Sequence, residues 1–219
     1  MKKRSLVVAF IMLTVILITA CSEKPRILII GDSISGGYTP YVKEYFSDKA
    51  IVERISENGK HAGYGLTRIK EYIGDEKWDI IHFNYGLHDL CYRHRDSKLY
   101  GGRDKINGKL PYDLNKYEEN LDSLVRVIKE LSDAKLIFLT TTYVPENEGG
   151  RFAQDAIIYN EVAKKVMNKH HVIINDIFDQ SIEIHKKHGL GDDDVHYTEE
   201  GSKMLARIIC EFLETKILK

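Results

Sequence analysis

Five short apolar runs, at residues 26–30, 50–55, 79–84, 135–141 and 171–175, recur along the chain with helical patterning between and after them. They are brief, apolar and bounded by turns or helical segments, so they read as buried strands. The clearest helical segment, 117–131, sets Leu121, Leu124, Val125, Ile128 and Leu131 on one stripe. The last segment pairs Met204 with Leu205, Ile208 with Ile209 and Phe212 with Leu213 at four-residue steps, which predicts a helix packed on a sheet. Strands that alternate with helices form parallel sheets, because parallel neighbours need a crossover connection and the crossovers cover both faces. The expected fold class is therefore α/β, a three-layer α/β/α sandwich around a five-stranded parallel sheet. In such sheets a ligand crevice opens beyond the carboxyl ends of the strands.

The amino terminus is set apart from this pattern. Lys2, Lys3 and Arg4 form a basic head, an apolar stretch covers residues 6–18, and Ile18, Thr19 and Ala20 precede Cys21. The arrangement resembles a bacterial lipoprotein signal, which implies cleavage before Cys21 and a diacylglyceryl thioether on its sulfur. The apolar stretch is shorter than the roughly 20 residues of a bilayer span, which argues against a transmembrane anchor. The expected organisation is a signal peptide at 1–20, a lipidated tether at 21–25 and one domain at 26–219. The expected location is the bacterial cell envelope, anchored through Cys21. Ser22 in place of an aspartate favours the outer membrane over the inner.

Removing the three basic residues of the signal takes the formal charge from −1 to −4, so no nucleic-acid surface is expected. Four prolines, no repeats and no Ser/Gly linker point to a single domain. Of the remaining cysteines, Cys91 and Cys210, the second falls on the apolar face of the last helix, and no disulfide is expected.

Chemistry is suggested by two clusters near opposite ends of the domain. Gly31, Asp32 and Ser33 follow the first strand, and Asp193 and His196 stand three residues apart just before the last helix. A serine hydroxyl is a poor nucleophile until an imidazole takes its proton, and a carboxylate fixes that imidazole's tautomer and stabilises its cation. Each cluster alone is a weak signal. Gly, Asp and Ser commonly close turns, and Asp192, Asp193 and Asp194 form an acidic run that reads equally well as a solvated loop. A metal site is the competing reading, because the chain has nine histidines. No histidine pair shows the i, i+4 helical arrangement of a zinc site, and no paired-cysteine motif is present. Neither a metal nor an organic cofactor is expected.

Four blocks together resemble the SGNH, or GDSL, hydrolase family over essentially the whole domain. They are Gly31-Asp32-Ser33-Ile34, residues 58–63 from Asn58 to Gly63, Gly86-Leu87-His88-Asp89, and Asp193-Asp194-Val195-His196. The resemblance implies the flavodoxin-like SGNH fold, a serine esterase activity, and a catalytic set of Ser33, Asp193 and His196. It also implies an oxyanion hole from the Ser33 and Gly63 N–H groups. The third block departs from the family pattern, with His88 where the family has an asparagine that donates to the oxyanion. A histidine ring still carries an N–H, so His88 is the expected third donor, with Asn84 as a rival. Asp32, Asn84, Asp89 and Arg151 are the candidate substrate-binding residues.

The substrate is expected to be a small ester or an acetylated glycan, with carbohydrate O-acetylesterase activity the favoured reading by family analogy. A lipase, thioesterase or acyltransferase of the same family, and a catalytically silent glycan-binding lipoprotein, are the alternatives. The long stretch from Cys91 to about residue 117 carries Tyr92, Arg93, His94, Arg95, Tyr100, Arg103, Lys105 and Tyr112. Aromatic rings beside cations suit a sugar face with nearby hydroxyls or carboxylates, although a solvated surface excursion accounts for it equally well. Residues 146–151 follow the fourth strand and are expected at the crevice rim.

Overall fold

The computed structural model describes residues 23–217. The signal peptide expected at 1–20 and the lipid-bearing Cys21 lie outside the described residues. Five strands form one sheet: β1 (Arg26–Ile30), β2 (Ile51–Arg54), β3 (Ile80–Phe83), β4 (Lys135–Leu139) and β5 (Ile173–Asn175). All neighbours are parallel, in the order β2-β1-β3-β4-β5. The expected three-layer sandwich is present. Ile27, Ile29, Ile30, Ile81, Phe83, Ile137 and Phe138 are fully buried, which is why these strands read as apolar runs rather than as alternating ones.

Six α-helices cover the sheet: α1 (Ser33–Tyr45), α2 (Ala62–Ile73), α3 (Leu114–Leu131), α4 (Ala153–Lys169), α5 (Phe178–His188) and α6 (Glu199–Ile217). One layer packs α1 and α5 on α6, and the other packs α3 on α2 and α4. The stripe of α3 is buried as expected at Leu121, Leu124, Val125 and Ile128. Its helix begins at Leu114, three residues before the expected segment, because Asp113 caps it by accepting from the Lys116 N–H at 2.8 Å. Thr198 accepts from the Gly201 N–H at 3.3 Å ahead of α6, whose first turn carries Glu199 and Glu200 where the helix dipole favours acids. Cys91 and Cys210 are both buried and free.

The strand order reverses at β1, between β2 on one side and β3 on the other. Chain segments leaving β1 and β3 therefore part to opposite sheet faces and leave a crevice beyond their carboxyl ends. Two close approaches shape it. Gly59 donates its N–H to the Gly31 carbonyl at 3.0 Å, and a Cβ at Gly59 would come within 3.0 Å of that oxygen. Gly86 packs against Thr141, whose Oγ1 would stand 1.8 Å from an added Cβ. Any side chain at Gly59 or Gly86 would collide, with the Gly31 backbone in the first case and the Thr141 side chain in the second.

Candidate active site

Ser33 is the first residue of α1, and Asp32 is its N-cap, accepting from the Ile34 N–H at 3.0 Å. A side chain at this position projects from the strand-to-helix turn, and Ser33 is exposed while Asp32, Ile34 and Ser35 around it are buried. The opposing loop is pinned at its base by an antiparallel bridge between Gly189 and Tyr197 and by the Leu190 N–H donating to the His196 carbonyl at 3.0 Å. It presents His196, whose Nε2 lies 2.8 Å from Ser33 Oγ. Residues separated by 163 positions in the chain thus meet within hydrogen-bonding reach.

The carboxylate on the far side of the ring is Asp194, and the expectation of Asp193 is corrected. Asp194 Oδ1 accepts from His196 Nδ1 at 2.5 Å and from the His196 backbone N–H at 2.9 Å. The backbone bond forms a tight turn in which the carboxylate two residues back is already aimed at the ring. Asp193 is exposed, and Asp192 accepts from the Asn147 side chain at 2.8 Å. The three consecutive aspartates therefore have three different fates, and the family's spacing singled out Asp193 where the ring takes Asp194. Asp194 is fixed from behind by His185 of α5, whose Nε2 donates to the Asp194 carbonyl at 2.7 Å. His185 is itself held edge-on between Tyr143 and Tyr197.

A carboxylate only accepts, so His196 Nδ1 carries a proton and Nε2 is free to accept from the serine hydroxyl. Burial works against the Asp194 carboxylate, yet the His196 backbone N–H, its ring N–H and its charge outweigh burial and hold the pKa below the ordinary value. Asp194 thus stays ionised where it can stabilise an imidazolium.

Ser33 and His196 open into a cleft of about 520 Å³. Asp32, Asn58, Leu87, His88, Asp194 and Val195 line it beside them, and Arg93, Tyr100, Gly101, Arg103 and Arg151 complete its wall. Arg93, Tyr100 and Arg103 of the aromatic and cationic stretch after Cys91 therefore reach the cleft, while Arg95 pairs with Asp96 at the surface. The stretch is more ordered than a loop. Arg93 bridges both Arg103 and Lys109, and a short 3₁₀ turn spans Tyr100–Gly102.

His88 lines the cleft, and burial lowers its pKa to about 4, with Arg151 and Arg93 pushing the same way against Asp32. It is neutral at ordinary pH. Arg93 Nη2 approaches His88 Nδ1 at 3.5 Å, and a guanidinium can only donate, so the contact leaves the ring proton on Nε2.

Three of the other candidates lie elsewhere. Asn84 is buried and donates its amide to the Leu139 carbonyl at 2.8 Å, tying the end of β3 to β4 rather than facing the cleft. Asp89 is buried behind the cleft, where its Oδ1 accepts from the Ala62 N–H at 2.8 Å and burial pushes its carboxyl well above the ordinary range. It anchors the start of α2. Gly63, in the first turn of α2, is half-buried with Tyr112 and Asn120 where a Cβ would stand, and Asn58 is the member of its block that lines the cleft. Asn58 is fixed by accepting from the Lys60 N–H at 2.8 Å in a turn where Lys60 takes a positive φ of 53°.

Arg151 lines the cleft but is largely spent on structure. Its Nε donates to the Leu87 carbonyl at 2.7 Å, and its Nη1 meets Glu148 at 3.0 Å. Glu148 is completely buried and also takes Arg103 Nη1 at 2.7 Å and the Gly150 N–H at 2.8 Å. Glu148 and His185 escaped the sequence reading because neither belongs to a motif. Among the described residues no cluster of three or more metal-ligating side chains is present.

A parallel α/β sandwich with an exposed serine bonded to a histidine at the carboxyl edge of its sheet has the architecture of a serine hydrolase acting on esters. Residues 29–204 match the GDSL-like Lipase/Acylhydrolase family, and the chain belongs to that family. Its members' chemistry makes this protein an ester-bond hydrolase. Solved structures share the fold at low identity. A lipase/acylhydrolase from Enterococcus faecalis has a TM-score of 0.69 at 19% identity, covering 88% of this chain and 96% of its own. The acetyl xylan esterase AlAXEase gives 0.65 at 17% identity, covering 86% of this chain and 99% of its own. A catalytic mutant of Axe2, an acetylxylan esterase from Geobacillus stearothermophilus, gives 0.66 at 23%, covering 85% and 93%. The sequence matches none of the curated proteins.

Proposed function

We propose that the protein is a carbohydrate O-acetylesterase in which Ser33 is the nucleophile, His196 the general base and then acid, and Asp194 the orienting carboxylate. The observation that carries the catalytic part is the hydrogen-bonded line from Ser33 Oγ through both nitrogens of His196 to Asp194, at 2.8 and 2.5 Å. Ser33 gives its proton to His196 Nε2 and attacks the ester carbonyl. The tetrahedral oxyanion is met by the Ser33 N–H and by the His88 Nε2–H, with Asn58 supplying a further amide at the cleft. Collapse passes the proton from His196 to the leaving alcohol and leaves an acyl-serine. Water then enters, gives a proton to His196, and releases the carboxylic acid as Ser33 regains its hydrogen.

The carbohydrate reading is supported by the rim. Tyr100 lines the cleft, is 91% exposed ahead of Gly101 and Gly102 with φ of 69° and 71°, and offers an aromatic face of the kind sugar rings stack on. Relatives of the same fold include acetyl xylan esterases. Lipid attachment at Cys21 with residence in the outer membrane is part of the same proposal and rests on the amino-terminal sequence alone. The test of the catalytic assignment is hydrolysis of p-nitrophenyl acetate by the wild-type and Ser33→Ala proteins, with an acyl adduct at Ser33 trapped by a phosphonate. Acetate release from acetylated oligosaccharides compared with long-chain esters tests the substrate. Activity confined to long-chain esters would overturn the carbohydrate reading and favour a lipase.

A further inference from the structure

The cleft is electrically lopsided. The side that carries Ser33 holds Asp32 and Asp194, and both carboxylates are committed, the first to the Ile34 N–H and the second to His196. The side facing them holds three guanidiniums, Arg93, Arg103 and Arg151, against one buried carboxylate, Glu148, which serves two of them through a single oxygen. Arg93 has no carboxylate partner among the described residues. Its Nη1 donates to the Gly101 carbonyl and its Nη2 approaches a neutral His88 ring. A guanidinium that lines a ligand cleft without a carboxylate partner is best matched by a ligand that brings one.

We infer that the natural substrate is an acylated sugar bearing a carboxylate, with the acyl group at Ser33 and the carboxylate held on the Arg93 and Arg103 wall. The inference rests on the glycan-ester reading and narrows it from sugars in general to acidic ones. Guanidinium geometry suits a planar carboxylate bidentately, and the exposed Tyr100 ring beside these cations supplies the sugar-facing surface. A neutral acetylated sugar would leave the wall's donors unmatched. A carboxylate would satisfy them without disturbing Glu148, which remains buried between Arg103 and Arg151.

The test compares acetate release from an O-acetylated uronic-acid oligosaccharide, from the same oligosaccharide with its carboxylates methyl-esterified, and from p-nitrophenyl acetate. The carboxylate form is expected to exceed the methyl-esterified form about 10-fold in kcat/KM at low salt, chiefly through KM. That ratio should shrink as ionic strength rises. It should fall to within about 2-fold in R93Q and in R103Q, with R93K retaining part of the preference because charge survives but the planar fork does not. A ratio at or below unity in the wild-type protein overturns the inference and leaves the glycan-ester reading standing. A preference that persists undiminished in both R93Q and R103Q overturns the assignment to this wall. Hydrolysis of p-nitrophenyl acetate without release from either oligosaccharide overturns the glycan reading and this inference with it.

Discussion

One wall of the cleft is built on the ends of regular elements, and the other on a long excursion between β3 and α3. Ser33 opens a helix directly behind a buried strand, and Asp194 and His196 sit on a loop clamped by the Gly189–Tyr197 bridge and by His185. Arg93 and Arg103 instead hang on the 91–112 stretch, where order comes from two isolated bridges and from a buried glutamate shared with Arg151. Bond making tolerates little positional error, so reacting groups belong on rigid supports. Substrate discrimination is a smaller energy, and an excursion can carry it without altering the sheet.

The sharpest way to break this comparison is at the rigid wall. Ser33→Ala should lower kcat by at least about 10³-fold, read on p-nitrophenyl acetate after active-site titration. Asp194→Asn should cost roughly 10³–10⁴-fold, because an amide no longer dictates the ring tautomer, while Asp193→Asn keeps nearly full activity. Equal losses in the two asparagine variants would mean the acid has been misassigned. His88→Ala, at the junction of the two walls, should cost about 10²–10³-fold in kcat with little change in KM, as removal of an oxyanion donor does.

On the excursion side, Glu148→Gln should act through stability rather than through the chemical step. A buried carboxylate bracketed by two guanidiniums is lost while their charges remain, and about 3 kcal/mol of unfolding free energy should go with it in urea titrations. If Glu148→Gln unfolds at the wild-type urea concentration, the excursion is not held as described.

The two walls should also respond at different pH. Folding lowers the His88 pKa to about 4 from an ordinary 6.5, so the unfolded chain binds that proton first and stability falls as pH drops from about 6.5 to 4. His82, fully buried on β3, is lowered to about 4 by the same desolvation and contributes in the same window. The Asp194 pKa is lowered from 3.8, so the stability it contributes is present above that value and is lost only at more acid pH. Urea unfolding across this range should show the first fall reduced in His88→Asn, with His82 and the desolvated His61 contributing to the remainder and Asp89, whose carboxyl burial pushes up, opposing it. An unchanged slope in that variant would mean that His88 is already protonated in the folded protein.

Much of this was legible in the residues. The strands stood out because both faces of a parallel sheet are buried, and their centres matched the sheet to within a residue or two. The ends of the fourth run were overextended, since Thr140 and Thr141 are apolar enough in company to continue a strand but instead leave it to bond with Asp176 and Asn160. Ser33 and His196 were visible as functional types at element boundaries. Asn84 and Asp89 carried equal chemical promise and turned out to be internal ties, because polarity in a sequence does not say whether a neighbour's backbone will claim the group first.

Composition and periodicity by themselves determined the layers, the parallel sheet and the crevice at its carboxyl edge, since these follow from which residues must leave water. The serine and the histidine came instead from the order and spacing of four short blocks that resemble a known family. Only the tertiary structure decided which of three adjacent aspartates faces the ring, that Asn58 lines the cleft, and that a buried Glu148 braces the arginine wall. Those choices depend on hydrogen bonds between segments far apart in the chain, and such bonds leave no local pattern to read.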